Sequence, residues 1–215
     1  MIRPSGNSQA LAAVDAALAA LSSVRTHNDE ADRAGQEALA ALDGYEPHVR
    51  TIEFDRPDRD VSAEGRALRS KSEGSAALSE EGAVHGLETA HDVSQVGESV
   101  DRALAAVDSN HWRARQALQQ AAAEVGFLNR YSLPGLTEGF ALSQETLGAG
   151  LSPYLTEVEE DAPGRDVGRF ADKIGGRFEL GADQIRHSQV SVLLVEDGSD
   201  KLQEYLDTAR ADLAR

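Results

Sequence analysis

The pattern in this chain that holds most chemistry is Glu88-x-x-His91. Glutamate and histidine three residues apart project from one face of a helix, and helical bundles with two-metal centres draw ligands from that pairing. Asp108-x-x-His111 repeats the spacing with aspartate in place of glutamate. A centre of that kind needs two such pairs plus a glutamate from each of two further helices. The remaining glutamates stand at no telling positions. His85 precedes His91 by six residues, which suits neither one helix face nor a zinc-ligand spacing. Glu88, His91 and His111 are therefore the metal candidates, but Glu88 and His91 read as a solvated face. No cofactor is expected.

Other chemistries find less support. There is no cysteine, which excludes disulfides, thiolate nucleophiles and thiolate metal ligands. Gly148-Ala-Gly150 has no strand before it, so it is not a dinucleotide fingerprint, and no Gly-x-Ser-x-Gly elbow occurs. Pairs such as Glu80-Glu81 and Glu159-Glu160 read as surface solvation, since nothing beside them implies burial that would shift a pKa. No catalytic constellation emerges, and the expectation is a protein that is not an enzyme. The net charge of −16 opposes binding to a phosphate backbone, which needs concentrated Lys and Arg. Arg66, Arg69 and Lys71 are the nearest thing to a basic patch. Neither nucleic-acid contact nor membrane insertion is expected, since no run approaches the ~20 apolar residues that span a bilayer. Arg3 and an alanine run broken by Asp15 make a poor signal peptide, so a cytoplasmic location is the default.

The elements that would position these residues are helical. Val100, Leu104, Val107, His111, Ala114, Leu118, Ala121, Val125 and Leu128 alternate steps of four and three, the seam of a heptad repeat. The spacing predicts one helix over Ser99–Asn129, with Ser99 as N-cap and Pro134-Gly135 as the stop beyond it. His111 sits on this seam as a register-fixing polar residue, and Trp112 lies just off it. A second rod runs from Ser8 to Asp43, with Leu11, Val14, Leu18 and Leu21 as its first seam, closed by Gly44. Leu39 and Leu42 resume the frame after a polar waist at Arg25, Asn28, Asp32 and Gly35. Residues 14–23 resemble residues 100–109 closely enough to raise a duplication.

The intervening and following segments are weaker. Gly44–Ser62 reads as a polar connector, with Ile52 and Phe54 as anchors or as a short extended piece. Residues 63–98 form a weak, mobile helical region with a break at Ser70–Ser75 and an apolar face of Ala77, Val84, Leu87, Ala90 and Val93. Leu136, Phe140, Leu147, Leu151 and Tyr154 hold helical spacing. So do Val167, Ala171, Ile174, Phe178, Gly181, Ile185, Ser188, Val192 and Val195, with helix ranked above strand for residues 190–195. Gly198 ends that segment, and Leu202, Tyr205, Leu206, Ala209 and Leu213 mark a closing amphipathic helix.

The expected fold is therefore all-α, an elongated bundle of coiled-coil-like antiparallel long helices with an irregular connector near 44–62. Residues 1–62 supply the first helix and the connector, and 63–98 the weak region. Residues 99–215 pack with 1–43 as one bundle domain. The expected function is non-enzymatic: a structural or interaction bundle acting by self-association or with a protein partner. Its interaction seam is Leu11, Val14, Leu18, Leu21, Val100, Leu104, Val107, Leu118, Val125 and Leu128. The alternatives are a metal-dependent, ferritin-like bundle enzyme and an acidic mimic that docks on a basic partner.

Overall fold

The structure, a computed structural model, describes residues 6–215; of the loose end expected at Met1–Asn7, residues 1–5 lie outside that range. The fold is all-α. Seven α-helices follow one another among the described residues: α1 (Gly6–Leu42), α2 (Glu46–Glu53), α3 (Ser62–Ala106), α4 (Trp112–Phe127), α5 (Leu133–Leu147), α6 (Ser152–Glu159) and α7 (Ala171–Leu213). A π turn at Leu128–Ser132 joins α4 to α5, and a 3₁₀ turn at Gly168–Phe170 leads into α7. The residues divide into two compact units. Unit one takes the chain up to Glu30, His85–Leu136 and Val190–Arg215; unit two takes Ala31–Val84 and Thr137–Gln189.

In unit one, α1 buries Ala10, Val14, Ala17, Leu21, Val24 and Asn28, in alternating steps of four and three. This frame shares Val14 and Leu21 with the leucine-based reading but replaces Leu11 and Leu18, which are only half-buried, by alanines. Alanine at the contact lets helix axes approach closely, so larger neighbours flank the contact instead of filling it. The α3 part of this unit buries Thr89, Val93, Val96, Val100 and Ala103. It runs antiparallel to α1, as Asn7 meets Asp108 and His27 meets Asp92.

The helix expected over Ser99–Asn129 does not exist as one piece. Ser99 is buried inside α3, which ends at Ala106, and α4 begins at Trp112. The heptad phase passes from Val107 to Ala114 across the break, so periodicity alone cannot register it. Asp108-Ser109-Asn110, three residues whose side chains compete for backbone hydrogen bonds, supply the break. Asp212 of α7 then accepts from the Ala114 N–H at 3.1 Å, satisfying one orphan donor of the new helix start.

Pro134-Gly135 does not stop the chain's helical run either. The π turn puts one extra residue into the coil, and the buried positions step by four twice, Leu128–Ser132–Leu136. The wider turn makes room for a proline that lacks an N–H donor. Likewise Gly198 does not end a helix: α7 runs through it, and a Cβ there would lie 2.6 Å from Leu128 Cδ2. The glycine permits close approach. Residues 190–195 are helical, as ranked.

Unit two solves the same problem differently. Its part of α3 buries Gly65, Leu68, Ser72, Ser75, Ser79 and Gly82, with no break at Ser70–Ser75. Of the face read as apolar, the part in this unit points outward, with Ala77 exposed and Val84 49% exposed, whereas Val93, in unit one, is buried. The small buried residues receive large ones. Phe140 is fully buried, and Cβ atoms built on Gly35 and Gly82 would stand 3.2 and 2.9 Å from its ring. Ser75 donates to the Ala38 carbonyl at 2.8 Å. Tyr45 stacks on Phe178 with centroids 4.7 Å apart, and burial, then the Glu179 and Glu46 carboxylates, push its hydroxyl pKa up. The connector holds a helix, α2, with Ile52 buried and Phe54 63% exposed, so only Ile52 is an anchor.

Arg69 ties α3 to α6 in the same unit, donating to Glu159 at 2.7 Å and Thr156 at 3.0 Å. The Glu159 hydrogen bond raises the Arg69 pKa further. Among the described residues, no helix is long and apolar enough to cross a membrane.

Candidate functional site

Helix periodicity places His27 and Glu30 on one face of α1, three residues apart, and His85 and Glu88 on one face of α3 at the same spacing. Because the two helices run antiparallel in unit one, the pairs meet head to tail. His27 faces Glu88, with Nε2 3.7 Å from Oε2. Glu30 faces His85, with Oε2 3.2 Å from Nδ1. His85 Nδ1 also stands 3.0 Å from Glu88 Oε2. The two imidazoles stack with centroids 6.3 Å apart and planes 19° from parallel.

Asp92, one turn beyond Glu88, completes the group. Its carboxylate lies 2.8 Å from His27 Nδ1, and its side chain is 11% exposed. An ionised carboxylate only accepts hydrogen bonds, so Nδ1 carries the hydrogen. In the neutral ring Nε2 then keeps its lone pair, on the side of Glu88. The cluster opens outward from Asp92 to Glu88, whose side chain is 45% exposed. One potential ligand atom from each of His27, Glu30 and Glu88 lies within 4.8 Å of the others.

As ion pairing alone the arrangement contributes little, because partly exposed pairs are worth ~0–1 kcal/mol. It also gathers three carboxylates around two imidazoles. Among the described residues, Glu30, Glu88 and Asp92 form their ion pairs with these histidines and with no Lys or Arg. Like charges so placed repel unless a cation intervenes.

Of the metal candidates named from the sequence, Glu88 belongs to this cluster and the other two do not. His91 points away, exposed, with its Nε2 2.8 Å from the Gln95 amide. His111 stands at the N-cap of α4, its Nδ1 3.0 Å from the Asp212 carbonyl. His27, Glu30 and Asp92 are absent from the sequence candidates, although two His-x-x-Glu pairs, His27–Glu30 and His85–Glu88, are visible in the sequence. Nothing in the linear order says that they face one another.

Of the named seam positions, Val14, Leu21, Val100, Val107, Leu118, Val125 and Leu128 are buried within unit one. Leu11, Leu18 and Leu104 are half-buried at its flank. Comparison with protein-family models, with curated proteins and with solved structures finds no match.

Proposed function

We propose that the protein is a non-enzymatic helical interaction module that works by association, its partner a second copy of the same chain. One observation carries the reading: in unit one, α7 is apolar on two faces. Val192, Val195, Leu202 and Leu206 are buried, while Val190 is 57% and Leu193 62% exposed, with Leu194 beside them. A helix with aliphatics outward as well as inward has a second apolar stripe, at positions i, i+3 and i+4, exposed to solvent. A stripe on one helix can meet its copy about a two-fold axis, so no second surface has to be built.

The charge of −16 sets a signature. Two such chains repel, and screening salt strengthens their association. Docking of an acidic mimic on a basic partner runs the other way and weakens with salt. Light scattering after size exclusion, at low and high salt, tests the reading. A dimer that sharpens with salt and is lost in Leu193→Asp supports it. A monomer at every concentration and salt overturns it.

A further inference from the structure

We infer that His27, Glu30 and Glu88 form a binding site for a single divalent transition-metal ion, zinc foremost, with Asp92 as the residue that orients His27. The inference does not depend on how the chain associates.

The first support is geometric. Ligand atoms on one ion at ~2.0–2.2 Å lie roughly 3–3.6 Å from each other. His27 Nε2 and Glu88 Oε2 already stand 3.7 Å apart, and the three-residue group fits within 4.8 Å. Small rotations of the two half-exposed glutamates close the remaining gap. No helix has to move.

The second support is orientation. Asp92 accepts from His27 Nδ1 at 2.8 Å and is itself nearly buried. That contact fixes the ring and turns the lone pair of Nε2 toward the carboxylates, the arrangement by which proteins hold metal-binding histidines ready. His85 Nδ1 stands near one oxygen of each glutamate, 3.2 Å from Glu30 Oε2 and 3.0 Å from Glu88 Oε2.

The third support is charge. Three carboxylates converge here on two imidazoles, with no Lys or Arg paired to them among the described residues. A divalent cation removes the repulsion. The donor set selects its kind: imidazole nitrogen with carboxylate oxygen suits zinc, iron and manganese, whereas calcium and magnesium take all-oxygen sets. Three protein ligands leave a coordination position for water on the exposed Glu88 side.

The test is titration of the metal-stripped full chain with zinc chloride by calorimetry, and with cobalt chloride by visible absorption. One ion per chain is expected, with a cobalt band that zinc displaces. His27→Gln and Glu88→Gln should each weaken binding at least tenfold, and Asp92→Asn by roughly ten- to a hundredfold. His91→Gln should leave binding unchanged. Helicity by circular dichroism checks each variant; if one unfolds, Glu30→Gln takes its place. Absence of a one-to-one complex in the wild type overturns the site. So does binding that survives His27→Gln and Glu88→Gln, or that falls equally in His91→Gln.

Discussion

Helix α3 carries one heptad phase through two kinds of interior. Between Gly65 and Gly82, in unit two, its buried positions are glycine and serine apart from Leu68 and Ala76. Between Val93 and Ala103, in unit one, they are valine and alanine apart from Ser99. The period is constant and the means differ. Unit one fills its seam from both helices with mid-sized aliphatics, whereas unit two leaves α3 thin and takes its bulk from Phe140, Phe178 and Leu147. Small residues alone bury little apolar area, at about 25 cal/mol per Å². A glycine–serine seam is therefore stable only where large side chains enter it. Unit two should thus depend on single residues more sharply than unit one does.

The largest expected effect follows at Phe140, fully buried against Gly35 and Gly82. Phe140→Ala should cost about 3–5 kcal/mol, since glycines on either side cannot fill the cavity. Val96→Ala in unit one removes two methyl groups and should cost about 2 kcal/mol. Denaturant midpoints compare the two. Equal losses would show that unit two does not concentrate its packing in Phe140.

This difference also marks what could be read from the sequence. Where buried residues are mostly aliphatic, as in α7 from Ile174 to Val195 or from Leu118 in α4 to Leu128 in the π turn, periodicity finds the right face. Where they are serine and glycine, the hydrophobic pattern points to the wrong face, and Val84 and Leu87, which the spacing puts on an apolar face, are exposed. Gly198 reads from the sequence as the end of a segment, yet it is a contact inside α7, as Gly181 is in the same helix and Gly82 in α3. The break at Asp108–Asn110 hid behind a seam that kept its phase. The candidate site was only partly legible for another reason. Helical spacing links Glu88 to His85 and to His91 equally. Only the antiparallel register of α1 against α3 selects His85, and it brings in His27.

The middle-sized prediction separates contact glycines from idle ones. A Cβ on Gly82 would stand 2.9 Å from the Phe140 ring, which is walled in, while one on Gly126 meets nothing within 4 Å. In a helix interior, replacing glycine by alanine gains up to about 1 kcal/mol. Overpacking a filled core costs about 1–3 kcal/mol. Gly82→Ala should therefore lower the melting temperature and Gly126→Ala raise it. If both rise, the Phe140 ring can yield and the tight reading of unit two's interior fails.

The smallest effect concerns how α3 begins. Asp60 Oδ1 accepts from the Ser62 N–H at 2.8 Å, and the Ser62 hydroxyl, then that N–H, hold the Asp60 carboxyl below the usual carboxylate range. A carboxyl whose pKa is lowered by folding stabilises the folded state above its unfolded pKa, about 3.9, and loses that contribution as pH falls through the folded value. Asp60→Asn keeps an acceptor but removes the charge. Stability at neutral pH should fall slightly, and the difference from wild type should shrink as pH falls through the lowered folded value and vanish below it. Asp60 is fully exposed, so added salt should shrink the charge part of the difference. A gap between Asp60→Asn and wild type that stays constant from pH 7 to pH 2 would place the effect in backbone geometry at the helix start and not in the carboxylate.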